Sequence, residues 1–398
     1  MFYVNSVCFM LIFSYALSQT TNCNDENALI AFKQPTYDFS VRILDKVATE
    51  TGFHFVFSPF STWWQLMTLA EGARGKTRSE LWKVTRYHRV KCFRRKYKEI
   101  INAMDEELAY MTKRTNIVIM NKLLNVKKSY EDEARKSHAN KILSLNFNNP
   151  VDSAIEANDF IETDVDGVIT KTVTPEDFNM TVLMTTDLAY FKSDWLHAFN
   201  PVYTSVENFY KSSVPIGKVK LMTQMGYFNV TDVPIINARV VELPFNSNGR
   251  VSMLVFLPTK GYVEDLFYNL SYIRLTSIYN LFKAVGPKLL TVRIPRFKIT
   301  TELQNIPELV YDMGVKRIFY PDLANFGGIS DYKVHTSLMK QTTHIEVIEE
   351  GVNGEVEFLV RNDEQEIFSA DRPFAYLIVD KKTDLILFAG MYTRPSVY

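Results

Sequence analysis

The sequence predicts an α+β fold, and three observations carry that prediction. Apolar residues recur at helical spacing early in the chain, as over residues 38–51, where Phe39, Val41, Ile43, Leu44 and Val47 share one side. Runs rich in β-branched and aromatic residues pair across turns further on: VVELPF (240–245) and SMLVFLP (252–258) flank Asn246-Ser247-Asn248-Gly249. The third observation is the stretch 346–374, EVIEEGVNGEVEFLVRNDEQEIFSADRPF. In it Val352, Gly354, Val356, Phe358 and Val360 are apolar or small, and Asn353, Glu355, Glu357 and Arg361 are polar. That period of two marks a half-buried strand. Leu359 breaks it, and 362–366 reads as solvated loop.

Taken in order, residues 1–18 are apolar and uncharged, with a hydrophobic centre at 7–15 and the small-residue end Ala16-Leu17-Ser18. They read as a signal peptide cleaved after Ser18, although no Lys or Arg precedes the apolar run. A membrane anchor would need ~20 apolar residues. Residues 19–37 are expected as a tail. After the helix at 38–51 come a short strand and helix start in Phe55-Val56-Phe57-Ser58-Pro59-Phe60-Ser61, then helices at 62–72 and 78–84. Gly75-Lys76-Thr77 between them mimics the end of a phosphate loop, but Gly72 stands too near and a helix precedes it. Residues 83–98 hold Lys83, Arg86, His88, Arg89, Lys91, Arg94, Arg95, Lys96 and Lys98 without an acid, leading into a helix at 97–111. Cations at a helix N-terminus oppose its dipole, so this cluster does not serve helix stability. Strands at 116–124, 142–147 and 182–195 alternate with helices at 130–137 and 152–163. A strand at 292–299, a helix at 303–313 and strands at 375–380 and 385–390 complete the pattern.

Composition narrows the function classes. Lys+Arg and Asp+Glu both number 45, so nothing in the net charge favours nucleic acid, and no later run is apolar enough to cross a membrane. With Cys8 removed in the leader, Cys23 and Cys92 remain; a bond between them and two free thiols both stay open. Sequons stand at Asn179, Asn229 and Asn269, the last favoured because it follows a helical stretch and the first disfavoured beside a buried strand. His54, His88, His138, His197, His335 and His344 share no metal-ligand spacing, and no catalytic motif is present, so neither a cofactor, a metal nor an enzyme is expected. Length alone would suggest two or three domains.

The order Phe57-Ser58-Pro59-x-Ser61, helix, Gly72-Ala73-x-Gly75-x-Thr77, helix resembles the serpin family. So do the entry Ile345-Glu346-Val347-Ile348-Glu349-Glu350-Gly351 and the close Phe368-Ser369-Ala370-Asp371-Arg372-Pro373-Phe374. The resemblance spans roughly 38–395. It implies one domain over 38–398, eight to nine helices around three sheets, and a reactive-centre loop at about 351–370. The function it implies is a secreted monomeric inhibitor whose loop is bait for a serine protease and inserts into the main sheet after cleavage. Inserting a dozen residues would release on the order of tens of kcal/mol in ladder bonds and buried area. The hinge would be Glu349, Glu350, Gly351, Val352, Gly354 and Val356. The shutter and breach beneath it would be His54, Ser58, Ser61, Trp195 and Gln341, with Gln341 where the family usually has His, His54 where it often has Asn, and Asp187 where most members have Asn. In serpins the basic region corresponds to a helix that in some members binds sulfated polysaccharide, which implies Arg89, Lys91, Arg94, Arg95 and Lys98 as contacts; an ordinary solvated basic face is the alternative.

The reactive bond stays open. Counted from Gly351 at family spacing, the residue before the cut is Gln365; counted back from Phe374 it is Asn362, so the loop is about three residues short. Arg361 before Asn362 is the chemically obvious bait for a trypsin-like pocket. Cutting there leaves 352–361, about 33 Å of strand at ~3.3 Å per residue. A short loop also suits papain-like cysteine proteases. Val352-Asn353-Gly354-Glu355-Val356-Glu357 replaces the small-residue run of most inhibitory members, which leaves a non-inhibitory carrier, storage or binding protein as the alternative.

Overall fold

The computed structural model describes residues 22–179, 181–353 and 366–398; the expected signal peptide lies outside them. Helix α1 (Asp25–Glu50) starts where Asn24 accepts a bond from Asn27 N at 2.8 Å and Asp25 and Glu26 meet the positive end of the dipole. It begins well before 38, because Ala28 and Phe32 extend the buried stripe of Phe39, Ile43 and Val47. Residues 25–37, expected as tail, are therefore helix, and Pro35 inside it does not end it. Cys23 is bonded to Cys92, with the two Cα atoms 6.3 Å apart, which settles the cysteine alternatives.

Strand β1 (Phe55–Phe57) leads into α2 (Pro59–Gly72), which Ser58 caps and Pro59 starts at the position where a missing N–H costs nothing. This helix is buried almost all round, as a helix apolar on every side must be. It packs on β16 (Leu385–Tyr392) on one side and on β2 (Thr112–Asn121) and β4 (Leu183–Lys192) on the other. Helices α3 (Gly75–Thr85) and α4 (Lys91–Glu107) follow it; α4 begins at Lys91, inside the basic run.

Three sheets form the framework among the described residues. The five-stranded sheet runs β11 (Phe297–Leu303), β12 (Thr336–Val347), β4, β2, β3 (Asn140–Leu145). Its neighbours are antiparallel except for β12 with β4 and β2 with β3. Helix α5 (Lys128–Ala134) connects β2 to β3, and α6 (Pro150–Asp164) covers the outer face, where Ala157, Ile161, Val173 and Phe178 pack on Ile117, Ile119, Met184 and Leu188.

The large sheet runs β1, β16, β15 (Phe374–Asp380), β9 (Val251–Pro258), β8 (Ala238–Pro244), β7 (Val214–Val233), β10 (Lys288–Pro295), β14 (Ile367–Ser369), with β6 (Ser205–Lys211) also on β7. Helices α7 (Leu266–Leu270), α8 (Leu275–Val285) and α9 (Ile306–Met313) complete the nine α-helices described. The run expected as one strand at 292–299 divides at Arg296 into β10 and β11, which belong to different sheets. The strand expected at 182–195 likewise ends at Lys192, and Ser193-Asp194 redirects the chain into β5 (Trp195–His197). With β13 (Gly351–Asn353), β5 makes the third, two-stranded sheet. No helix among the described residues is long and apolar enough to cross a membrane.

Candidate functional site: a loop hinge above a strand seam

The central feature is the seam between β12 and β4, paired in parallel from Thr336–Leu183 to Glu346–Lys192. Above it the chain does not turn back. It continues in the direction of β12, and Gly351 and Asn353 pair in parallel with Trp195 and His197 of β5. Trp195 locks this path. Its indole N–H donates to Ile348 O at 2.7 Å, its backbone N–H donates to Glu350 O at 2.9 Å, and its ring stacks on Phe245 at 4.5 Å. Phe199 N donates to Glu349 O at 3.0 Å.

The two hinge glutamates separate by environment. Glu349 is buried, accepting from Thr204 Oγ1 at 2.9 Å and pairing with Arg296 at 3.4 Å. Glu350 is exposed, with Lys192 at 3.9 Å. Lys192 also reaches Glu346 at 3.2 Å, and Tyr398 donates its hydroxyl to the same carboxylate. Burial opposes the charge on Glu346, but Tyr398 and Lys192 hold its carboxyl below the usual range.

Beneath the hinge, Gln341 organises the polar heart of the seam. Its side-chain oxygen accepts from Ser58 N and Thr343 Oγ1, both at 2.9 Å. Its amide donates to Ser58 O, Thr62 Oγ1 and Asp187 Oδ2, each at 3.0 Å. Ser58 Oγ in turn donates to Leu387 O at 2.7 Å, tying α2 to β16. The expected Ser58, Ser61 and Gln341 are thus brought together, and Asp187 and Thr62 join them. His54 is not part of this network. Its Nδ1 accepts from Thr393 N and Arg394 N, both at 3.2 Å, and burial followed by the Arg394 charge lowers it to about 4. Strand β1 separates His54 from Ser58 and leaves it at the chain's C-terminal end.

On the outer face of the same strand, buried Lys340 reaches Asp177 at 2.5 Å and Thr172 O at 3.4 Å, pinning β12 to the segment that follows α6. Sequence spacing carried no sign of this pair.

The basic residues divide unevenly. Arg89, Lys91 and Arg95 are exposed. Half-buried Arg94 lies 3.7 Å from Glu71, with its guanidinium over the rings of Trp82 and Tyr87. Lys98 is buried and faces inward to Glu71 at 3.5 Å and to Glu133, so its charge is neutralised inside the protein. Beside them a cleft of about 580 Å³ is lined in part by Arg74, Arg78, Lys91, Arg95 and Lys136. Among the sequons, Asn179 is exposed despite its neighbouring strand, Asn229 donates to Glu242 at 2.7 Å, and Asn269 is half-buried on α7. Gly354, Val356, Arg361, Asn362 and Gln365 lie outside the described residues, as does the Val352 side chain. No cluster of metal-ligating side chains occurs among the described residues.

Comparison with known proteins gives this arrangement its setting. The family model described as serpin (serine protease inhibitor) matches residues 34–395. An uncharacterised serpin-like protein of Thermococcus kodakarensis is 28% identical over 85% of this chain and 80% of its own. Human protein Z-dependent protease inhibitor is 25% identical over 91% of this chain and 82% of its own. Among solved structures, native protease nexin-1 with heparin superposes with a TM-score of 0.81 at 23% identity, covering 92% of this chain and 99% of that one. Uncleaved ovalbumin gives 0.78 at 21% identity, covering 92% and 100%. With the family model matched over nearly its whole length and the same sheets in place, the chain belongs to the serpin family.

Proposed function

We propose that this protein is a secreted protease inhibitor that offers the segment between β13 and β14 as bait and, once cut, inserts it between β4 and β12. The observation that carries the proposal is the path of the hinge. Residues 351–353 run forward from β12 onto β5 while the β4–β12 seam below is closed. Reversing at the hinge would lay a new strand antiparallel to both neighbours and replace one parallel ladder by two antiparallel ones, which pair slightly better per residue. A trypsin-like serine protease is the target we favour, from Arg361. Sulfated polysaccharide is the accessory ligand we favour, held by charge-assisted contacts at the exposed cations beside the cleft. The leader and the disulfide support secretion, because disulfides persist in oxidising compartments. The mature chain is then expected to begin at Gln19 and to act as a monomer.

A second reading, a carrier, storage or binding protein that never inserts, is favoured by the bulky residues Val352, Glu355, Val356 and Glu357 just past the hinge. A shortened loop would alternatively suit papain-like cysteine proteases. One experiment separates these readings. The secreted chain is incubated with a trypsin-like and a papain-like protease, covalent complexes are sought in denaturing gels, and melting is compared before and after nicking between 361 and 365. A complex and a large rise in melting temperature support inhibition, and the enzyme that is trapped names the class. Nicked and intact chains melting together would establish the carrier reading.

A further inference from the structure

We infer that Asp187 makes the β4–β12 seam responsive to pH, the seam staying closed while the carboxyl carries its proton and loosening when the proton leaves. Asp187 is fully buried in the middle of β4 and stands directly across from Gln341 in the register. Its Oδ2 accepts the Gln341 amide at 3.0 Å. Its Oδ1 has no hydrogen-bond partner of ordinary geometry among the described residues, and neither has the hydroxyl of Ser61 beside it. Asn116, the opposite residue on β2, turns its amide to Thr68 and Asn140 at 3.1 and 2.9 Å. An ionised carboxylate offers about four acceptor sites and would find few donors here, whereas the neutral acid needs fewer and can itself donate.

The charged groups that act on Asp187 are Arg114 from β2 and Asp105 from α4. Arg114 gives Nη2 to Asp105 at 2.7 Å while its Nη1 has no partner among the described residues, and the opposing charge of Asp105 offsets part of its pull on the second carboxyl. From α2 the neighbouring Ser58, Ser61, Thr62 and Gln65 are neutral, as are Gln341 and Thr343 from β12. Lys340 bonds to Asp177 and His344 to Thr300, and strand alternation puts both on the face away from Gln341. Burial pushes Asp187 up to about 7 and Asp105 adds to the rise, against Arg114, Ser61 and Gln341.

The sign follows from linkage. The closed seam binds a proton that an open, water-filled one releases at ordinary carboxylate pH. Closing is therefore favoured at low pH, and the opening constant climbs with pH by nearly tenfold per unit until about 7, then levels. Loop insertion enters only as a consequence: under the inhibitor reading the seam must part, so insertion would be faster at neutral than at mildly acidic pH. Because the test uses the uncut chain, it succeeds or fails independently of whether insertion occurs.

Hydrogen exchange across 183–192 and 336–347 of the full uncut chain, corrected for intrinsic rates, measures seam opening from pH 5 to 8. For the wild type the expected rise is roughly fiftyfold between pH 5 and 7, levelling off by pH 8. Asp187→Asn, close in shape and never charged, should flatten the profile and leave the seam as tight at pH 8 as at pH 5. Asp187→Ser, smaller and also neutral, gives the same comparison should the asparagine variant not fold. A flat wild-type profile would overturn the inference, and so would a neutral variant that keeps the wild-type rise.

Discussion

Replacing Gly351 with Ala should free the hinge from β5. A methyl group there would come within 2.6 Å of Ala198 Cα and 2.7 Å of Ala198 N, backbone atoms that cannot swing aside as a side-chain tip would. The local pairing must loosen, and the bonds at stake are Trp195 N to Glu350 O and Phe199 N to Glu349 O. Overpacking of this kind costs about 1–3 kcal/mol. Two such bonds at about 0.5–1.5 kcal/mol each are of the same size, so the clash suffices to break them. At tenfold per about 1.4 kcal/mol, exchange of the Trp195 and Phe199 amides should quicken roughly five- to 150-fold. Amides of β15 and β16, buried in the large sheet, should stay as protected as before. If Trp195 and Phe199 remain at wild-type protection in the variant, the pairing of β13 with β5 does not hold the hinge.

The Cys23–Cys92 bond spans a sequence separation of 69, so Cys23→Ser with Cys92→Ser should lower stability by roughly 4 kcal/mol in denaturant melts. A loss below about 1 kcal/mol would mean that helix packing and the Lys96–Asp25 pair hold α1 by themselves. Arg95→Glu should weaken retention on a heparin column without changing the melt. Lys98→Met should leave retention unchanged and lower stability by about 1–3 kcal/mol, because Glu71 and Glu133 each lose a buried partner and keep only Arg94 and Lys136 as cations among the described residues; equal loss of retention in both variants would refute the inward placement of Lys98.

How far the site could be read in advance depended on whether its determinants were local. Ser58-Pro59 announces a capped helix start, and Glu349-Glu350-Gly351 announces the end of a strand, because caps and strand ends are written in neighbouring residues. Gln341 and Asp187 each stood out in the sequence as departures from the family pattern. That they touch depends on the parallel register of β12 against β4, which no local signal specifies. The basic run looked uniform, yet helical period divides it once α4 starts at Lys91: Lys98 falls beside Phe93, Tyr97 and Ile101 on the buried side and Arg95 on the open side. His54 stands apart for a similar reason, since three residues of extended chain separate it from Ser58. The split of 292–299 at Arg296 is a matter of sheet membership, and both halves have the same strand-like composition.

Adjacent residues of a strand point to opposite faces, and β12 is held on both: Gln341 fastens it inward to α2, and Lys340 fastens it outward to Asp177. Any strand entering beside β12 must displace the outer covering segment as well as part the inner seam, so Lys340 should act as a brake. Lys340→Met removes the charge and leaves Asp177, among the described residues, with the Thr174 N–H at 2.8 Å as its remaining partner. Breaking a buried pair from one side costs about 3–5 kcal/mol. The cost should fall locally on residues 165–179, which lose their tie to the sheet. Protease cleavage within that segment should accelerate at least tenfold in the uncut variant. Under the inhibitor reading, conversion of the nicked chain to its heat-resistant form should also be faster. Lys340→Met with Asp177→Asn removes the stranded charge and should recover most of the melting temperature, yet keep the segment accessible, because the tie itself is still missing. If the double variant regains both stability and protection, the pair contributes only through its burial cost and the segment is held by Val173 and Phe178 against Ile117 and Leu188. Stability recovered without protection is what a brake requires.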